Sequence, residues 1–277
     1  MVSLNRLKWR LMQRRSNHGF TLIEAIIVIV ILGLLSAVGS QFIVTAMNSY
    51  SKVEVRSALV QRGRLAIEQI TREIHMSLPN AIRVSDSGLC MEFMPIVGST
   101  KYHKTLPDVS NSVTPVSSIN TSSFTLGMGE AKHVVVGAFT PIEVYQSAST
   151  SARVDIGVLG SPPYSVIPLD SSGHTFFRNS INQRVFITDD PVRYCVNGGN
   201  LLRYSGYGLL TTPLDDSVPS GIDDLVSHEV AAIAGDEAFE LSPGSQDINM
   251  ALYIKLAFSK GMETVDLNHQ VLVRNVP

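Results

Sequence analysis

The chain has 277 residues, enough for one large domain or two small ones with buried cores. Its 22 Lys and Arg balance 24 Asp and Glu, and a formal net charge of −2 argues against a nucleic-acid surface, which needs a basic face. Two well-separated cysteines, Cys90 and Cys195, make no zinc site, and the slightly positive mean hydropathy requires an apolar segment somewhere in the chain.

That segment comes first. Residues 1–19 carry Arg6, Lys8, Arg10, Arg14 and Arg15 and no acid. A run from Ala25 to Gly39 is almost wholly aliphatic, and no charge occurs between Glu24 and Lys52. About 20 apolar residues cross a bilayer core as a helix, so this window is long enough to span. The basic residues before it place the N-terminus in the cytoplasm and everything after about Lys52 on the far side. A secretory signal would show a shorter apolar stretch followed by a small-residue cleavage site; here a glycine precedes the stretch. Glu24 is an acid at the edge of the span. Sixteen Leu, Ile, Val and Phe side chains lie from Phe20 to Val44, and at roughly −0.4 kcal/mol each they outweigh the roughly +3 kcal/mol of one central charge. An ionisable residue there marks a functional position. A plain signal anchor with a stray acid is the alternative.

Gly19-Phe20-Thr21-Leu22-Ile23-Glu24 followed by a long apolar helix resembles the class III signal of type IV pilins and type II secretion pseudopilins. The resemblance implies leader cleavage between Gly19 and Phe20 by a prepilin peptidase, N-methylation of Phe20, and a role for Glu24 in placing the subunit in a fibre. It implies a bacterial inner-membrane protein, single-pass, with a periplasmic C-terminal part. Partners would be other major and minor pilins, an inner-membrane assembly platform and a separate assembly ATPase. Major pilins usually carry a proline where this chain has Gln41, which favours a minor subunit.

The helix continues past the membrane. Leu59, Gly63, Ile67, Ile70, Ile74 and Leu78 recur at three- and four-residue steps, an apolar stripe that packs on a globular domain. Arg64, Glu68 and Arg72 are i,i+4 neighbours on another face, and Pro79 ends the run. The expected domains are a leader at 1–19, a transmembrane and assembly helix at 20–51, its amphipathic second half at 52–79, and a β-rich head at 80–277. The fold class is α+β, a helical spine on a mainly antiparallel sheet.

In the head, short β-branched runs are separated by turns. Expected strands are Ala81–Val84, Leu89–Met94, Lys132–Phe139, Ile142–Tyr145, Val154–Val158, Val185–Thr188 and Val192–Val196. Residues 105–123 and 159–175, rich in Ser, Thr, Asn, Pro and Gly, read as long exposed loops. Two hairpins are expected, one turning at Asn197-Gly198-Gly199 and one at Gly261. In the second, Leu252, Ile254, Leu256 and Phe258 face one way, and Val265, Leu267, His269, Val271 and Val273 share a face of the return strand. The first hairpin and the ending 261–277 resemble the larger minor pilins of the mannose-sensitive haemagglutinin (MSHA) pilus.

In the periplasm thiols oxidise, so a Cys90–Cys195 disulfide is expected, with unpaired buried thiols as the alternative. The long loop it would close stabilises by at most about 4–5 kcal/mol in the chain-entropy model. His18, His75, His103, His133, His174, His228 and His269 show no metal-ligand spacing, and His269 reads as a core or interface residue. Asp215, Asp216, Asp223 and Asp224 read as one acidic loop, solvated or, less simply, calcium-binding. No cofactor is expected. No G-x-S-x-G, P-loop or Rossmann glycine pattern follows a strand, so no enzyme is expected, although a Ser-His-Asp set from distant positions stays open. Three roles follow: a minor pilin in the initiation or tip complex of an MSHA-like pilus, a J-like pseudopilin of a type II secretion system, and a tip adhesin presenting the two polar loops. A membrane-anchored enzyme is a further class, without processing at Gly19.

Overall fold

The computed structural model describes residues 19–146, 148, 150–211, 213–242 and 250–273. The basic leader up to His18 and the terminal residues 274–277 lie outside them. The fold is α+β. It divides into two compact units, with the boundary between Val53 and Glu54.

One helix, α1, runs from Leu22 to His75. Its 54 residues span about 80 Å at 1.5 Å each. The part before Glu54 buries no large apolar side chain, and by length and composition α1 can cross a membrane. Beyond Glu54 the stripe read from the sequence faces inward, with Leu59, Gly63, Ala66, Ile67, Ile70 and Ile74 buried. The last turn tightens, because Met76 and Ser77 donate their N–H groups to the carbonyls of Glu73 and Ile74. The helix thus ends three residues before Leu78, and Leu78 instead donates to Met94 O at 2.8 Å.

Gly63 shows how closely this face is packed. A Cβ there would stand 2.3 Å from Leu267 Cδ1 and 2.9 Å from Cε2 of the buried Phe258 ring. Gly63→Ala should therefore destabilise the head by about 1 kcal/mol. Overpacking costs about 1–3 kcal/mol, which exceeds the roughly 1 kcal/mol gained in helix propensity. Thermal unfolding of the variant measures the sign.

The strands in chain order are β1 (Arg83–Val84), β2 (Cys90–Phe93), β3 (Ile96–Lys101), β4 (Ser118–Phe124) and β5 (His133–Val135). A one-turn helix α2 (Pro141–Tyr145) precedes β6 (Arg153–Asp155), β7 (Tyr164–Pro168), β8 (Arg184–Thr188), β9 (Val192–Asn197) and β10 (Asn200–Ser205). The chain finishes with β11 (Ile222–His228), β12 (Val230–Ala232), β13 (Phe239–Ser242), β14 (Met250–Lys260) and β15 (Glu263–Val273). All strand pairs are antiparallel.

Two sheets hold the helix-bearing core. One has the order β1-β2-β9-β10-β11; in the other β12 and β13 pair one side of β14 and β15 the other. Their inward residues, including Met91, Phe93, Tyr194, Phe239, Leu252, Ile254 and Phe258, close on Leu59, Ile67, Ile70 and Ile74. The β14–β15 hairpin pairs all eleven residues of each strand. Gly261, at φ 62, opens its two-residue turn, a position that favours glycine. His269 is not in the core: it is exposed opposite the buried Ile254, between Val265 and Val271 on the same strand. The alternating pattern located the strand, but the cover on that face has a gap at His269 and resumes at Val271 and Val273.

Between the neighbouring strands β2 and β9 the chain makes an excursion of about a hundred residues with a core of its own. It contains the sheet β3-β8-β5-β6 and the ribbon β4-β7. Both expected loops are corrected here. Residues 118–124 and 164–168 are strands that pair with each other, and Ile119, Thr121, Phe124 and Ile167 point inward. Further back, Asn179 Nδ2 donates to Leu106 O, and Ser110 holds the buried Asp108 carboxylate, so 105–111 is built in. The Ser- and Thr-rich composition concealed a period-two pattern of few but well-placed apolar residues. Ile142–Tyr145 is helix rather than strand. Pro141 at its start presets a helical φ, and Glu143 accepts from the Phe139 N–H and from both terminal nitrogens of Arg178, overriding the β preference of Ile, Val and Tyr.

Candidate processing and assembly site

The hexapeptide Gly19–Glu24 straddles the start of α1. Gly19, Phe20 and Thr21 are not helical, and Phe20 is 72 % exposed. Thr21 takes the N-cap position. Its carbonyl accepts the first helical bond from Ala25 N–H at 3.2 Å, and its Oγ1 accepts the Glu24 N–H at 3.3 Å. Thr-x-x-Glu is the sequence pattern of a capping box. Glu24 is exposed in the first turn, where a negative charge complements the helix dipole. Among the described residues a Cβ on Gly19 would meet nothing within 4 Å, so their packing does not demand glycine there.

Along the apolar span, hydroxyl groups turn back on their own helix. Ser36 donates to Leu32 O, Ser40 to Ala37 O, Thr45 to Gln41 O and Ser49 to Thr45 O, at 2.7–2.9 Å. In lipid, where water is absent, a polar group must be satisfied this way. Glu24 differs from these hydroxyls, since a carboxylate only accepts, and a helix leaves N–H groups free for it only at its first turn. It is the one charged side chain from Gly19 to Ser51.

The head holds a second constellation. Cys90 and Cys195 are direct cross-strand partners on β2 and β9, joined by a disulfide of 2.04 Å. It closes the base of the inserted excursion. Two steps along, Glu92 opposes Arg193, and both are almost completely buried. Glu92 accepts from Arg83 Nε at 2.6 Å and from Tyr207 Oη at 2.7 Å, and Arg193 Nη2 lies 3.6 Å away. The Arg83 guanidinium stacks over the Tyr145 ring at 3.7 Å, tying α2 to the network. Burial, and after it the Glu92 carboxylate, pushes the Tyr207 hydroxyl far above its ordinary range, so it stays a donor. Sequence reading missed this cluster. Its signal was a single charge inside each of two otherwise apolar runs, Cys90–Met94 and Val192–Val196.

The acidic residues do not form one loop. Asp223 and Asp224 lie on β11 opposite Tyr204 and Arg203. Asp216 accepts from Ser87 Oγ, and Asp215 lies 3.9 Å from Arg193 Nη1. Among the described residues, no group of three or more His, Cys, Asp and Glu side chains is placed to hold a metal ion. His133 is buried with its ring nitrogens 2.7 Å from Asp155 and 3.1 Å from Asp190, a polar cluster inside the inserted lobe. His174 sits edge-on to Phe176, and burial lowers its pKa.

The described chain thus starts with a helix long and apolar enough to cross a membrane, capped by Thr21 next to an exposed Gly19-Phe20 pair. The comparisons narrow this. Residues 14–40 match the family model described as the prokaryotic N-terminal methylation motif, so the chain carries a type IV prepilin-like N-terminus. Neither the curated proteins nor the solved structures give a match.

Proposed function

We propose that the protein is a minor type IV pilin, of the MshO type within an MSHA-like pilus, acting in assembly of the fibre. Its leader is removed between Gly19 and Phe20 by a prepilin peptidase on the cytoplasmic side, and the new amino terminus is methylated. The head lies in the periplasm, held by α1 in the inner membrane. The observation that carries this reading is the methylation motif over residues 14–40, with Glu24 as the lone charge at the head of an exposed apolar helix. The role is structural, without catalysis of its own. Its partners are other pilins and the inner-membrane platform.

The inserted lobe favours an initiating or capping position. It joins the head where α1 ends, through the Ser77–Pro95 bridge and the Leu78–Met94 bond. There it would obstruct a further subunit packed in line. A J-like pseudopilin of a type II secretion system shares the same spine and differs in its neighbours. The adhesin reading is favoured by the β4–β7 ribbon, because residues 109–129 contain no charge and many hydroxyls.

N-terminal mass spectrometry of the native protein tests the proposal. The expected mature chain starts at N-methylated Phe20. An intact Met1, or cleavage after the apolar run, would sink it.

A further inference from the structure

We infer that Thr21 is a positioning residue for leader removal: its side chain fixes the start of α1 and so keeps the Gly19–Phe20 bond outside the helix. The inference rests on the proposed processing at that bond. Hydrolysis there adds water across the Gly19–Phe20 amide and leaves a Gly19 carboxylate and a Phe20 ammonium. A peptidase reaches such a carbonyl in an extended chain; in a helix the same carbonyl is turned into the hydrogen-bond ladder.

The geometry sets the boundary to a single residue. Gly19 and Phe20 are non-helical, and Leu22 is the first residue of α1. The side-chain bond that separates them is Glu24 N–H to Thr21 Oγ1 at 3.3 Å. It satisfies a helix N–H that has no partner within the helix, and it holds Thr21 itself in non-helical backbone. Without that oxygen, the next side chains suited to an N-cap lie upstream, at Asn17 and Ser16. A helix started there would enclose Gly19 and Phe20 in its first turn. Glycine at position 19 opposes such extension through its poor helix propensity, and Thr21 opposes it from the other side of the bond. Among the described residues nothing crowds a Cβ at position 19, so the effect of glycine there is one of backbone propensity.

The experiment uses the full-length precursor, incubated with membranes containing the prepilin peptidase, with the mature fraction followed by mass and by gel mobility. The cleavage rate should follow the N-cap ranking rather than side-chain size. Thr21→Ser and Thr21→Asn should be cleaved at close to the wild-type rate. Thr21→Val, nearly isosteric with threonine, and Thr21→Ala should be slowed roughly fivefold, the ratio that corresponds to an ordinary loss of an N-cap side chain. Hydrogen exchange in micelles supplies a second readout: the Ile23 amide, a first-turn donor without a partner inside the wild-type helix, should gain protection in Thr21→Val, where an upstream start gives it the Gly19 carbonyl, and should not in Thr21→Ser. Cleavage of Thr21→Val and Thr21→Ala at the wild-type rate overturns the inference alone. So does equal slowing of all four variants, which would mean that the peptidase reads the threonine itself. A wild-type precursor that is never cut at Gly19 overturns the processing reading and this inference with it.

Discussion

Glu92→Gln should lower the thermal midpoint of the head by on the order of 10 °C. Glu92 is fully buried and Arg193 is 1 % exposed. One carboxylate answers two guanidiniums, those of Arg83 and Arg193, and also takes the Tyr207 hydroxyl proton. Glutamine keeps the shape but removes the charge, and its amide nitrogen turns a donor toward donors. Breaking a buried ion pair from one side costs about 3–5 kcal/mol, because the surviving charge stays out of water. For a domain of about 220 residues each kcal/mol moves the midpoint by about 2–4 °C. The double variant Glu92→Met/Arg193→Met should recover only part of the loss, since it removes the buried Arg193 charge but keeps the Arg83 guanidinium that Glu92 also answered. Calorimetry on the detergent-solubilised protein measures both. A midpoint within 2 °C of wild type for Glu92→Gln would show that the network does not hold the head together.

The same cluster explains why part of this fold was readable from the sequence and part was not. The long helix and the β14–β15 hairpin announce themselves, because each buries a continuous face and its periodicity persists for many residues. The inserted lobe does not. Its strands are short, and β4 buries only Ile119, Thr121 and Phe124 among serines and an asparagine. Pro141 decides α2 against three β-preferring residues. Glu92 and Arg193 meet only because β2 and β9 are neighbours across the excursion, a fact of topology that local patterns do not contain. At the N-terminus the reverse holds. Gly19, Phe20 and Glu24 stood out through their order and the pilin signal it resembles, whereas the hydrogen bond from Glu24 N–H to Thr21 Oγ1 is visible only in the structure.

Glu24→Ala should leave the protein inserted and processed yet almost absent from fibres. Insertion survives because the apolar span already outweighs one charge, and alanine removes that cost. Processing survives because the Thr21 cap receives the Glu24 backbone N–H, which alanine retains. Assembly is different. The carboxylate stands in the first turn of a helix whose neighbouring hydroxyls bond to their own backbone. In a lipid-free fibre interior its natural partner is a cation, and the only one that processing creates nearby is an amino-terminal ammonium, its own or a neighbour's. Loss of such a buried pair, at about 3–5 kcal/mol, corresponds to a fall of more than a hundredfold in occupancy. Immunoblots of sheared fibres against the membrane fraction read this directly. Glu24→Gln separates charge from hydrogen bonding: if the ion pair sets register, glutamine fails nearly as badly as alanine. Normal incorporation of either variant would remove the carboxylate from the assembly mechanism, while leaving the role of Thr21 in leader removal untouched.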